Sequence, residues 1–259
     1  MKNLLLSALI IALFSFNNLG AQESNQTELS TMELTIMELT VPGEIGKQMP
    51  RVNRNFILKL QNNLSEGEKS PLLIWMHGGG GSTEASGKGW PGSKKQFIYI
   101  SEKYPLSVLF PQAVERGWDG LSMEVLLKYV LDNFPIDPDR IYLAGGSMGG
   151  AGTWLVAHHN PELFAALVPC MGGGLNRDEI LGTVSFERVK HLPSWSFCGR
   201  LDKVTPIEYA LEIDSILNAL GADPKLTIYE DMGHGGPASE AWKHEELYEW
   251  LLSHKKNAL

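Results

Sequence analysis

The sequence predicts an α/β fold: a mostly parallel central sheet with helices on both faces and no large lid domain. Three observations predict it. Short apolar, β-prone runs alternate with longer segments of helical apolar periodicity, the pattern of a sheet covered on both sides. A G-x-S-x-G pattern, Gly145-Gly-Ser-Met-Gly149, is wedged between one such run and one such helix. The composition is ordinarily globular, with 43% hydrophobic and 20% charged residues in 259, and a chain of that size can bury a substantial core.

Taken in order, the chain opens with Met1-Lys-Asn followed by a short apolar run to Phe14, and Leu19-Gly-Ala21 supplies small residues for cleavage. Residues 1–21 read as a secretory signal peptide with Gln22 as the mature N-terminus, so the expected location is secreted or periplasmic. No cysteine follows the cleavage point, so no stable membrane anchor is expected. Residues 22–50 form a polar N-terminal lead-in holding the duplication Thr31-Met-Glu-Leu-Thr35, Ile36-Met-Glu-Leu-Thr40. Two copies are too few for a repeat fold, and the alternation suits either an edge strand or disorder. The catalytic domain is placed at 51–259. Its first strands are Asn55–Leu60 and Leu72–Met76, the second running into His77-Gly-Gly-Gly-Gly-Ser82.

A glycine-rich loop after a strand can cradle phosphate. Here Lys88 is one residue out of place for that role and Gly89 stands where a magnesium-binding hydroxyl belongs. A helix over 94–103, a strand over Leu106–Pro111 and a loop to Gly120 come next, then a helix over 121–134 and a turn at Pro135–Asp139. The strand Ile141–Ala144 leads into the serine pattern and the helix Ala151–His158. Strands Phe164–Cys170, Pro193–Gly199 and Lys225–Tyr229 follow. Between and after them come a loop with a short helix over 171–191, a helix over 207–220 and a closing helix over 239–254.

Several classes are excluded before any site is built. The formal net charge is −8, which disfavours nucleic acid as a partner. No zinc-type spacing of Cys and His occurs, so neither a metal nor any other cofactor is expected. Cys170 and Cys198 end apolar runs, where buried free thiols are common and relaxed disulfide geometry is rare.

The chemistry is expected at strand ends. A serine on a sharp strand-to-helix turn is pushed out of the sheet, and Ser147 is the candidate nucleophile. The Met148 backbone N–H supplies one oxyanion donor and the Gly78–Gly79 segment the second, with His77 holding that loop by hydrogen bonds. Serine needs a base. Of seven histidines, His234 alone lies on a glycine-flanked loop directly after a strand. The imidazole needs a carboxylate to orient it, and Asp202 emerges after the penultimate strand, ahead of its rival Asp231. Trp90 and Trp118 are candidate pocket walls.

The quoted blocks resemble those of the single-domain α/β-hydrolases grouped as prolyl-oligopeptidase-like, feruloyl-esterase and polyhydroxybutyrate-depolymerase-type esterases. The blocks are His77-Gly-Gly-Gly80, Asp137–Gly150, Phe164–Pro169, Cys198-Gly-Arg-Leu-Asp202 and Gly233-His234. Together they span about residues 70–255. The resemblance implies a Ser147–His234–Asp202 triad and a serine carboxylic-ester hydrolase working through an acyl-enzyme. It also implies short-chain or aromatic, feruloyl-like esters as substrates, small or polymer-linked. Cys198 departs from relatives that carry histidine before the glycine. A serine peptidase acting on short peptides is the alternative. Oligopeptidases exclude large substrates with an N-terminal propeller that these residues do not include. A non-catalytic binding protein on the same scaffold is the third reading.

Overall fold

The computed structural model describes residues 36–86, 100–172 and 177–256. The signal-peptide assignment to residues 1–21 and the candidate Trp90 lie outside them, as does most of the helix expected over 94–103.

Eight strands among the described residues form one sheet. They are β1 (Ile36–Thr40), β2 (Asn55–Lys59), β3 (Ser70–Met76), β4 (Ser107–Phe110), β5 (Ile136–Gly146), β6 (Ala166–Cys170), β7 (Trp195–Gly199) and β8 (Lys225–Tyr229). The order is β1-β2-β4-β3-β5-β6-β7-β8. β1 and β2 join antiparallel at one edge, and every pairing from β4 to β8 is parallel.

Burial on two faces explains the run-like sequence of the central strands. Every residue of β3 is buried. Alternate side chains of it part to opposite layers: Leu72, Ile74 and Met76 to one, Leu73 and Trp75 to the other. The first layer is closed by α1 (Gly120–Asn133), α2 (Met148–His159) and α3 (Ile207–Ala219); the second by α4 (Gly236–Ala241) and α5 (Glu245–Ser253). Asp119 caps α1, its carboxylate accepting from the Ser122 N–H at 2.8 Å. Cys170 and Cys198 are free and buried, and burial pushes the Cys198 thiol up to about 11.

Three expectations need correction. The sheet begins inside the segment assigned to a polar lead-in: β1 pairs along β2 from Ile36↔Lys59 to Thr40↔Asn55. Val41 and Met49 after it are buried, so the compact unit runs from Ile36 and not from residue 51. The expected turn at 135–139 is the entry of β5, which pairs with β3 through Ser70↔Ile136 before a register shift. Proline is tolerated at such an entry, where the ladder is not yet continuous. The single closing helix is two helices, with buried Trp242 between them and the Tyr248 hydroxyl donating to its carbonyl at 2.6 Å.

Candidate active site

β5 runs down the middle of the sheet and ends at Gly146, and at Ser147 the backbone turns sharply into α2. Ser147 has φ +56° and ψ −115°, a region that a residue with a Cβ occupies only under constraint. The constraint is visible on three sides. The Ser147 N–H donates to the Cys170 carbonyl of β6 at 2.9 Å. A side chain on Gly145 would strike the Gly149 carbonyl, and one on Gly149 would strike the Met76 carbonyl of β3. Glycine two residues either side of the serine is therefore what lets α2 start this close to the sheet.

β7 and β8 lie two and three strands along from β5 and deliver the partners at the same edge of the sheet. The loop after β7 is bound to the loop after β8 by Arg200 N–H to the Tyr229 carbonyl and Leu201 N–H to the Met232 carbonyl, both 2.9 Å. On these paired loops, His234 Nδ1 lies 2.8 Å from Asp202 Oδ2, and His234 Nε2 lies 2.9 Å from Ser147 Oγ.

Asp202 decides the protons in this array. Its side chain has no exposed surface, and burial alone would raise its pKa. The donors around it outweigh burial. Thr205 Oγ–H at 2.6 Å and the Thr205 N–H at 2.9 Å lead, with His234 and the Val204 N–H adding to them. The net effect holds the carboxyl below its usual range. An ionised carboxylate can only accept, so Nδ1 of His234 carries the proton and donates it. Nε2 then presents its lone pair to the Ser147 hydroxyl, which donates. Serine, imidazole and carboxylate thus form one directed chain of hydrogen bonds ready to move a proton from Oγ to Nε2.

On the other side of Ser147 lies the loop after β3. Gly78 faces it: a side chain there would start 3.3 Å from the Gly146 carbonyl and 3.5 Å from Ser147 Cβ. Gly79 opens the turn Gly79–Gly81 and lies against Arg116. Met148 is the first residue of α2, so its N–H belongs to the helix-end donors that have no partner within the helix. His77 is buried and both ring nitrogens hold backbone. Nε2 accepts from the Ala113 N–H at 3.0 Å, which leaves Nδ1 to donate to the Gly78 carbonyl at 2.7 Å. Burial holds its pKa below the ordinary value, so it stays neutral. Trp118, a candidate pocket wall, is instead a support behind this loop. It is buried, packs against Gly152 and His77, and donates Nε1–H to the His77 carbonyl at 3.2 Å. Its ring faces inward because Gly152 leaves room for it in α2.

Sequence reasoning passed over Thr205, which grips Asp202 through both hydroxyl and backbone. The spacing Asp202-Lys-Val-Thr205 just before the start of α3 at Ile207 is the available signal, since such side chains bond backbone three residues on. Among the described residues, no group of three His, Cys, Asp or Glu is placed to hold a metal ion.

The crystal structure of a thermostable esterase superposes on 87% of this chain and 64% of its own, with TM-score 0.64 and 24% identity. The chain has the α/β-hydrolase fold. Within it, residues 123–173 match the prolyl oligopeptidase family, a stretch that contains Ser147 and its flanking glycines but neither Asp202 nor His234. A protein of Escherichia coli O157:H7 with a provisional carboxymethylenebutenolidase name is 32% identical over 130 residues, 44% of this chain and 46% of its own. An acetylxylan esterase of Coprinopsis cinerea is 27% identical over 147 residues, 52% of this chain and 38% of its own. The chain thus spans less than half the length of these curated relatives.

Proposed function

We propose that the protein is a serine hydrolase that cleaves carboxylic esters through an acyl-enzyme. The observation that carries the reading is the directed chain from Ser147 Oγ to His234 to Asp202, at 2.9 and 2.8 Å. Ser147 Oγ attacks the ester carbonyl as its proton passes to His234 Nε2. The carbonyl oxygen becomes an oxyanion held by the Met148 N–H and a donor of the Gly78–Gly79 loop. His234 returns the proton to the leaving alcohol, and the acyl group stays on Oγ. Water, deprotonated by the same nitrogen, then releases the acid. Asp202, kept ionised, stabilises the imidazolium formed in each half.

Short-chain or aromatic esters, free or attached to a polymer, are the proposed substrates, in keeping with relatives named as esterases. A peptidase acting on short peptides is the second reading, because residues 123–173 resemble the prolyl oligopeptidase family. Initial rates on p-nitrophenyl esters from acetate to decanoate, beside methyl ferulate and an aminoacyl anilide, separate the two. Fastest turnover of short acyl esters or ferulate supports the esterase; cleavage of the anilide alone replaces it with the peptidase. Replacing Ser147 by Ala should lower kcat by about 10⁴-fold or more, and residual turnover within tenfold of the parent would sink the assignment. Secretion through the leader at 1–21 is part of the same proposal, and a mature N-terminus at Gln22 in the secreted protein is its test.

A further inference from the structure

Among the described residues only three non-glycine positions have positive φ: Asn63 in a surface turn, Ser147, and Met171 at φ +50°. Asparagine enters that region readily; methionine does not. Met171 directly follows β6, the neighbour of β5, so the two strained residues stand side by side at the same sheet edge. The strain is locked in by backbone, since Cys170 receives the Ser147 N–H through its carbonyl while the Met171 N–H donates to Phe197 of β7 at 2.8 Å.

The side chain so directed is buried, at 5% exposure, and touches both halves of the site. Its Cε lies 3.6 Å from where a Gly146 side chain would begin, against the serine elbow. Its sulfur accepts the Gly235 N–H at 3.0 Å. Gly235 is the residue after His234. The stretch Gly233-His-Gly-Gly236 has one side chain in four, and Gly235 itself sits at φ +93°, so little within the loop restrains the imidazole. Before His234 the loop is held by the Leu201–Met232 backbone bond; after it, by the Met171 sulfur.

We propose that Met171 is a positioning residue for His234, its thioether sulfur fixing the backbone beyond the imidazole so that Nε2 stays on Ser147. The inference rests on the reading of His234 as the base. A thioether is a weak acceptor, but misplacing a catalytic group by about 1 Å can cost on the order of 10²-fold in rate.

The test compares Met171→Leu, Met171→Gln and Met171→Gly with the full chain. Active sites are titrated with a fluorophosphonate, and kcat and KM are measured per titrated site on the best p-nitrophenyl ester. Leu keeps the volume and removes the acceptor; kcat should fall about tenfold with KM within about twofold. Gln offers an amide oxygen in reach of the Gly235 N–H and should recover most of the loss. Gly relieves the positive φ, so it keeps the fold should Leu fail to, and its kcat should fall as Leu's does. A merely structural role would lower the melting temperature and the titrated fraction but leave kcat per site unchanged, which would overturn the proposal. Equal losses in Leu and Gln would overturn it as well. Ser147→Ala is run alongside: an active Ser147→Ala enzyme removes the reading beneath the proposal, whereas an inactive one beside a normal Met171→Leu removes the proposal alone.

Discussion

His77 and His234 are the same side chain at the ends of two strands of one sheet, on opposite sides of Ser147. His77 is 2% exposed and gives both ring nitrogens to backbone groups. His234 keeps 27% of its side chain exposed and gives both to other side chains, a carboxylate and a hydroxyl. The first arrangement fixes a loop and stays neutral in doing so. The second leaves a lone pair aimed at a proton that chemistry must move. What distinguishes a base from a brace is the identity of its partners and not its distance from the serine.

The largest effect should come from deleting the proposed base. His234→Ala is expected to lower kcat on the best ester by about 10⁴-fold or more with little change in melting temperature. An equal loss from the conservative His77→Gln, whose amide can donate and accept as the imidazole does, would erase the distinction. Asp202→Asn comes next, at about 10³- to 10⁴-fold in kcat, because an amide no longer dictates which nitrogen of His234 holds the proton. A loss under tenfold would mean that Thr205 and the loop backbone orient His234 unaided.

His77→Phe should act chiefly on stability. It leaves the Ala113 N–H and the Gly78 carbonyl without their partners, at about 1–3 kcal/mol for each group so stranded. Urea denaturation should register the loss, with a smaller fall in kcat as the Gly78 loop relaxes. A variant of unchanged midpoint would show that the brace is dispensable.

The smallest effect is a slope. An imidazole in the unfolded chain binds its proton near the ordinary value of 6.5, while burial holds His77 lower in the fold. Between those two values the unfolded state carries more protons, so the stability contributed by neutral His77 is complete above about 6.5 and is lost as pH falls through the folded value. His254 is lowered by burial too and adds to the same slope. The urea midpoint should therefore drop on acidification below about pH 6.5, and His77→Gln should flatten the drop without abolishing it. A steeper fall in the variant would reverse the sign assigned here.

Most of this contrast is legible in the sequence because it depends on where strands end. A serine between glycines after an apolar run, and a glycine-flanked histidine after the last strand, are local patterns with one geometric meaning. Other features escape because they are settled across the fold. The Pro-rich entry of β5 reads as a turn until Ser70 of β3 is there to pair with it. The alternation of β1 suits an edge strand and disorder alike, and only its partner β2 settles that it belongs to the sheet. Trp118 offers a ring but no direction, which Gly152 supplies from α2. Met171 belongs to no motif, since a thioether acceptor matters only once Gly235 is beside it.

The hydrogen-bonded array joins residues 87 and 32 positions apart in the chain. Contacts of that separation close long loops, whose entropy is lost before the contact returns anything, so they lie late on a folding route. The serine elbow needs only β3, β5 and β6, whereas the full array needs β7 and β8 in place as well. In a refolding experiment, native-like secondary structure should therefore appear before reactivity toward a fluorophosphonate does. Such a reagent marks the moment at which all of these strands are in place.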